Sequence, residues 1–173
     1  MKKLLMVLAI ATFGAVNAHA FGIGIETGAG WYRGDGAGFG GAGLSLGFGN
    51  MRNPDATAAI SLNIRENFFS VGGHYKWHLY SHDFIDWLQF YAAPGLEAGF
   101  SSWTGDFGYT GLSFGGRASL GLRFLLINHL DIFLSLDPRL GLQLYFGEHA
   151  PNGFGTDNIY FNIGGTLGIR WWF

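Results

Sequence analysis

The chain has 173 residues, of which 30 are glycine and 17 are phenylalanine, and only 13% are charged. A formal net charge of -2 provides no basic surface for nucleic acid, and the absence of cysteine excludes disulfide scaffolds, thiolate metal sites, cysteine nucleophiles and lipoprotein anchors. Few charges combined with many aromatic residues are typical of a protein whose outer surface faces lipid.

The first twenty residues have the composition of an export signal. Two lysines follow the initial methionine, an apolar run covers residues 4–16, and Ala18-His19-Ala20 places small residues at a cleavage point. The apolar run is about 13 residues long, shorter than the ~20 residues that a membrane-spanning helix requires. We therefore predict a cleaved signal peptide over residues 1–20 and a single mature domain over residues 21–173.

Eight stretches of the mature chain alternate large apolar residues with glycine, serine or charged residues, which is the period of a β-strand. The predicted strands cover residues 21–31, 39–48, 57–65, 69–79, 88–100, 112–124, 130–146 and 159–173. Turn-forming or polar segments separate them, including residues 49–55 and 81–86. An even number of strands places both ends of the chain at the same end of a sheet or barrel.

Volume indicates which face of these strands points inward. An eight-stranded barrel has an interior only just wide enough to be filled by side chains, so the large apolar residues of eight strands do not fit inside it. The glycine, serine and charged residues do fit, which predicts a polar lumen and an apolar outer wall. The fold class is therefore an all-β, eight-stranded antiparallel up-and-down transmembrane barrel, with a soluble lipocalin-like barrel as the alternative that the same volume argument disfavours.

The inward-facing residues include both signs of charge. We predict a lumen charge network formed by Glu26, Arg65, Lys76, Glu97, Arg117, Arg123, Asp131, Asp137, Arg139 and Arg170. Opposite charges there would neutralise one another, and Arg170 in the last strand requires Glu26, Glu97 or an aspartate. In so narrow a barrel we expect these side chains to plug the lumen, and a narrow channel for small solutes or apolar molecules is the alternative.

Two prolines fall inside predicted strands. Pro94 and Pro138 each remove a backbone donor from a closed sheet, where no free edge accommodates the loss. A bulge or kink at each is the structural interpretation. The functional hypothesis is a lateral opening, for lipid or a small apolar ligand, beside the strand over residues 112–124.

The last strand ends in a motif that resembles a targeting signal. Thr166, Gly168, Trp171 and Phe173 resemble in spacing the C-terminal targeting signal of bacterial outer-membrane barrels. Together with the eight strands, the mature chain resembles the small outer-membrane barrels of the OmpA transmembrane-domain, OmpX and OmpW kind. The resemblance implies an integral outer-membrane location in contact with outer-membrane lipids, and recognition of the last strand by the outer-membrane assembly machinery.

Little in the sequence indicates catalysis, a metal or a cofactor. His74 and His78 lie four residues apart on one strand, about 13 Å at strand rise and too far apart to share a metal ion unaided. A lipid-modifying enzyme remains an alternative, and its candidate residues lie in the predicted loops or at strand ends: Asp35, Ser101, Ser102, Asp106 and His149. We expect a structural or surface-interaction role without enzymatic activity and without a cofactor, in which the loops contact host or lipopolysaccharide components.

Overall fold

The computed structural model describes residues 20–32, 41–104, 108–147 and 158–173. The described chain forms nine strands: β1 (Phe21–Tyr32), β2 (Gly41–Gly49), β3 (Pro54–Arg65), β4 (Phe68–Trp77), β5 (Tyr80–Ile85), β6 (Leu88–Trp103), β7 (Tyr109–Leu126), β8 (Leu130–Phe146) and β9 (Ile159–Trp172). Within these ranges no helix is long and apolar enough to cross a membrane.

The strands close into an antiparallel barrel with eight positions. Strands that are neighbours in sequence pair with one another, except β4 and β5. In addition, β1 pairs with β9 and β4 pairs with β6, which completes the ring. Strands β4 and β5 share one position, because both pair with β6. The eight-stranded barrel that the alternation predicted is therefore confirmed.

Strand β5 differs from the sequence prediction, which placed a turn over residues 81–86. Residues 80–85 pair with β6, and the turn is confined to Asp86 and Trp87. All six residues of β5 are exposed, so no buried face imposes an alternating pattern on the sequence. Pairing with β6, which an alternation pattern does not reveal, makes this segment a strand.

The two prolines lie where the pairing is locally irregular. Pro94 lies on β6, opposite the point where β4 ends and β5 begins. Lys76 and Tyr80 are four residues apart, whereas their partners on β6, Gly95 and Ala92, are three residues apart, which is a β-bulge. Opposite Pro138 the β7–β8 pairing skips two residues and resumes in the same register. The pairing thus shows a bulge at Pro94 and a gap without a register shift at Pro138, while β7 is paired with β6 over residues 109–124.

The outer wall is apolar, as the volume argument predicted. Large side chains with roughly half of their surface exposed occur on every strand position, for example Ile25, Leu44, Ile60, Leu96 and Leu134. Aromatic residues near the two ends of the barrel are also exposed: Trp77, Phe84, Trp87, Phe100, Trp171 and Phe173. The buried residues are mostly polar and lie in the lumen, which inverts the arrangement of a soluble barrel.

The two ends of the barrel, the terminal end and the loop end, carry different segments. The terminal end carries Phe21, Phe173 and the turns at residues 50–53, 86–87 and 127–129. The loop end carries the turn at residues 66–67 and the ends of β6 and β8 at Trp103 and Phe146.

Candidate functional site: the barrel lumen

The terminal half of the lumen is built around the carboxylate of Asp131. Arg123 donates to Asp131 Oδ2 from Nη2 at 2.6 Å and from Nε at 3.2 Å, and Trp172 Nε1 donates to the same oxygen at 3.1 Å. Arg170 Nη1 lies 3.6 Å from that oxygen. All four residues are at most 3% exposed. We call this group the Asp131 cluster, and it joins two guanidinium groups and one indole to one carboxylate.

The turn at residues 50–53 closes the terminal end beneath this cluster. Arg123 Nη1 donates to Gln89 Oε1 at 3.0 Å, and its Nη2 donates to the Met51 carbonyl. Gln89 Nε2 in turn donates to the Arg52 carbonyl at 2.8 Å. Buried side chains thus satisfy backbone carbonyls of the turn, which holds it against the end of the lumen.

An aromatic ring fills the space next to the Asp131 cluster. Phe133 is 2% exposed, and the Arg170 guanidinium lies 4.7 Å from its ring centroid, with the Lys76 ammonium 6.0 Å away. A Cβ added at Gly168 would lie 2.3 Å from the ring, so glycine is required there for the ring to fit. Arg170 Nη2 also donates to Ser45 Oγ at 2.7 Å. These cation–ring contacts place positive charge on the negative ring face.

A second carboxylate, Asp137, is fully buried nearer the middle of the barrel. Three hydroxyl groups donate to it: Ser119 at 2.5 Å, Ser135 at 3.0 Å and Thr166 at 2.5 Å. Arg117 Nη2 lies 2.9 Å from its Oδ2 and balances its charge. Asp137 therefore has the paired and hydrogen-bonded surroundings that a buried charge requires.

Glu97 links this layer to the loop-end half of the lumen. Its Oε2 lies 3.8 Å from Arg117 Nη1 and 3.6 Å from Arg139 Nε, and Tyr160 donates its hydroxyl hydrogen to Oε1 at 2.9 Å. Arg117 thus lies between two carboxylates, Glu97 and Asp137. The charges of the middle layer are matched within the protein.

Above this layer the lumen opens into a cavity of about 590 Å³. Its floor includes Glu26, His74, Glu97, Arg117, Arg139 and Asn162. Serine and glycine residues form much of its wall, and aromatic residues lie toward the loop end. The lumen therefore has two halves, a filled terminal half and a cavity in the loop-end half.

The predicted lumen residues occupy these layers with one exception. Glu26, Lys76, Glu97, Arg117, Arg123, Asp131, Asp137, Arg139 and Arg170 lie in the lumen, buried or half-buried. Arg65 is exposed at the loop end of β3, because it is the last residue before the turn to β4. Of the partners anticipated for Arg170, the structure selects Asp131 over Glu26, since Arg170 lies directly across from Asp131 on β8.

Sequence reasoning did not single out Trp172, Phe133 and Gln89, although they fill the terminal half. Their inward direction follows from the same alternation that placed Arg170, Asp131 and their neighbours in the lumen. An aromatic residue on the polar parity of a strand was the signal that could have identified Trp172 and Phe133 as lumen residues.

The two histidines have separate surroundings. His74 Nε2 lies 3.6 Å from Glu26 Oε1, and His78 Nε2 lies 3.3 Å from Thr57 Oγ1. Within the described residues no group of three or more His, Cys, Asp or Glu side chains could hold a metal ion. The loop candidates Asp35, Asp106 and His149 lie outside the described residues, as does most of the predicted signal peptide.

The residues of the predicted assembly signal have individual contacts in the folded barrel. Thr166 donates to Asp137, and Gly168 accommodates Phe133. Trp171 faces outward and stacks on His129, with ring centroids 5.7 Å apart, and Phe173 stacks on Phe21 at 5.0 Å. Two members of the motif therefore serve the lumen, and the two aromatic members lie on the outer surface at the terminal end.

No protein-family model matches the sequence, and no curated protein is similar to it at the level of sequence. Solved structures do share its fold. The N-terminal β-barrel domain of OprF from Pseudomonas aeruginosa aligns with a TM-score of 0.54 at 17% identity, covering 88% of this chain and 97% of that domain. Neisserial surface protein A (NspA) aligns with a TM-score of 0.52 at 14% identity, covering 88% of this chain and 95% of that one. The chain therefore has the fold of the small eight-stranded outer-membrane β-barrels.

Proposed function

We propose that this protein is an integral outer-membrane barrel with a closed lumen, which serves envelope structure or surface interaction at its loop end. The apolar outer wall, the aromatic residues at the terminal rim and the export-like first twenty residues support this location. The fold shared with OprF and NspA supports it as well. In the proposed orientation in the outer membrane, the terminal end faces the periplasm, and the loop end faces lipopolysaccharide or host components.

The main evidence for a closed lumen is the Asp131 cluster. Its two arginines, its carboxylate and the Trp172 indole are buried and hydrogen-bonded or ion-paired with one another, and the turn at residues 50–53 lies beneath them. An interior of this width has room for side chains or for water, and here side chains occupy the terminal half. A solute entering from the loop end would meet this layer.

Planar-bilayer recording of the refolded protein tests the closed lumen. We expect the wild-type barrel to show no discrete conductance steps. An Arg123→Ala/Trp172→Ala variant that stays heat-modifiable on gels should show steps, because it removes two of the three large side chains around Asp131. Discrete steps from the wild type would instead support the narrow channel for small solutes.

We further propose that the outer-membrane assembly machinery recognises the last strand through its outward aromatic residues. Phe173 is 63% exposed, and its ring makes one stacking contact with Phe21. So exposed a ring contributes little to the packing of the finished barrel.

Deletion of Phe173 tests this role. We expect the amount of heat-modifiable barrel in the outer-membrane fraction of cells to fall several-fold, while the purified variant refolds into detergent like the wild type. Phe146→Ala is the matched control, since Phe146 is a similarly exposed aromatic residue at the end of β8. Normal assembly of the deletion variant in cells would contradict the proposal, and an equal loss on refolding would assign Phe173 a packing role.

A further inference from the structure

We propose that the loop-end cavity binds a neutral, polyhydroxylated ligand of the size of a mono- or disaccharide. The cavity volume of about 590 Å³ lies within the range of roughly 300–1,000 Å³ that is usual for small-molecule sites. The inference rests on the proposed function only for the outward direction of the loop end. Binding itself depends on the lumen geometry.

The cavity exists because the inward side chains change in size along the barrel. In the terminal half the lumen positions hold arginine, lysine, phenylalanine and tryptophan, which fill the interior. In the loop-end half many inward-facing positions of the strands hold small residues, for example Gly28, Ser61, Gly72 and Gly99. The space is therefore encoded by particular residues on separate strands.

The floor of the cavity presents buried polar atoms that lack partners among the described residues. Asn162 is 1% exposed, and neither its Nδ2 nor its Oδ1 has a hydrogen-bond partner there. Glu26 Oε2 also has no hydrogen-bond partner there, and Arg139 Nε makes no hydrogen bond although it lies in an ion pair with Glu97. Leaving such groups unpaired is unfavourable, so a ligand that satisfies them gains affinity. A primary amide offers both a donor and an acceptor, and a hydroxyl group complements both.

The charges at the floor favour a neutral ligand. Two carboxylates, Glu26 and Glu97, lie there with two guanidinium groups, Arg117 and Arg139. Glu97 already lies within 4 Å of both arginines, and Arg117 also pairs with Asp137. An anionic ligand would lose its hydration without finding an unmatched cation, because both arginines are already paired. Among the described residues Glu26 has only the His74 contact. The described lumen nevertheless carries five positive side chains (Lys76, Arg117, Arg123, Arg139, Arg170) and four carboxylates (Glu26, Glu97, Asp131, Asp137), so a cationic ligand would enter a lumen without net negative charge.

Aromatic rings at the loop end of the cavity favour a sugar over a purely polar molecule. Trp103 stacks with Tyr109 at 4.6 Å and lies 4.8 Å from the Phe68 ring, and Tyr145 lies 5.6 Å from Tyr109. The negative faces of such rings attract the slightly positive C–H faces of a pyranose. A sugar has both C–H faces and hydroxyl groups. It therefore complements the aromatic rings at the loop end of the cavity and the amide and charged groups at its floor.

Isothermal titration of the refolded barrel in detergent tests the proposal, with glucose, N-acetylglucosamine, maltose and lactose as neutral probes and glucuronate and glucosamine as charged ones. We expect saturable binding of at least one neutral probe, tighter than that of either charged probe. Asn162→Leu should weaken it at least tenfold, because the amide is replaced by a side chain of similar size that cannot pair.

A second variant blocks the cavity without altering Asn162. Gly72→Val adds volume to the cavity wall and should also abolish binding. An added Cβ there meets only ordinary contacts, 3.6 Å from Ser61 Oγ and 3.7 Å from the Ala98 carbonyl oxygen. Gly116→Val, on the outward parity of β7 and outside the cavity lining, is the control and should bind like the wild type. Heat modifiability on gels verifies that each variant is folded.

Three results would overturn the proposal: no saturable binding of any neutral probe, tighter binding of a charged probe, or unchanged binding by folded Asn162→Leu or Gly72→Val. The conductance recordings are independent of this outcome. A cavity that holds only water leaves the closed lumen intact, and a conducting wild type contradicts the closed lumen whether or not sugars bind.

Discussion

Replacing Asp131 by alanine is expected to lower the free energy of unfolding by roughly 3–5 kcal/mol, because removing one partner of a buried ion pair leaves uncompensated charge. The same Oδ2 atom accepts hydrogen bonds from Arg123 and Trp172 and lies 3.6 Å from Arg170. Both arginines would keep their charge in the lumen without this carboxylate. The terminal half of the barrel should loosen first.

Denaturant unfolding from lipid vesicles, followed by tryptophan fluorescence, measures this loss. Asp86→Ala is the control, since Asp86 is exposed in the β5–β6 turn and its described contact uses the backbone carbonyl, which the substitution keeps. We expect the control to change stability by at most about 0.5 kcal/mol. A loss below about 1 kcal/mol for Asp131→Ala, the range of exposed ion pairs, would show that the cluster contributes little.

Replacing Phe133 by alanine is expected to destabilise the barrel by roughly 3–5 kcal/mol, the usual cost of emptying a buried aromatic position. Phe133 is 2% exposed and lies against Gly168, and it provides the ring face that Arg170 and Lys76 approach. The substitution removes apolar volume and these cation–ring contacts together. Equilibrium unfolding under the same conditions measures the change.

A double-mutant cycle with Gly168→Ala tests the contact between ring and glycine. Alone, Gly168→Ala should cost about 1–3 kcal/mol, because the added methyl group overlaps the Phe133 ring. In the Phe133→Ala background it should cost less, with a remainder from the Ile25 carbonyl, 2.8 Å from the added Cβ. Gly116→Ala is the control, because a Cβ added at Gly116 lies 4.0 Å from its nearest atom, the Gly95 carbonyl oxygen. Equal costs in both backgrounds would exclude the contact as the reason for glycine.

This cycle also separates two explanations for Gly168, which belongs to the predicted assembly signal. If the glycine serves only recognition by the assembly machinery, Gly168→Ala should refold in vitro with wild-type stability. If it serves the lumen, the purified protein is already destabilised. The overlap with Phe133 favours the second explanation, and Phe173, which has no such lumen contact, is the better position for testing recognition.

The closed terminal half and the open loop-end half assign different tasks to the two ends of one small barrel. The Asp131 cluster and the turn at residues 50–53 fill the terminal end, and under the proposed function this layer preserves the permeability barrier of the membrane. Asn162 on the cavity floor has unpaired polar atoms among the described residues and lines open space, whereas Asp131 Oδ1 and Arg170 Nε, which also lack hydrogen-bond partners there, lie in the filled terminal half. A sealed barrel with a cavity at one end suits binding better than conduction.

The alternation in the sequence determined the number of barrel positions, their order and the direction of most side chains. Ile25, Leu134 and Trp171 face outward and Asp131 and Arg170 inward, because a strand has a period of two and the interior of eight strands is too small for the large apolar residues. The failure at β5 has the same cause, since six exposed residues in a row carry no alternation.

Only the tertiary structure decided which inward residues meet. Alternation gives the face of a residue but not its height in the barrel, and height depends on hydrogen-bonded register between strands that are distant in the chain. Register places Arg170 across from Asp131 and beside Gly24, so Glu26, although on an adjacent strand, is not its partner. Register also brings small residues of separate strands to one level, which forms the cavity, and places Pro94 at the bulge between β4 and β5.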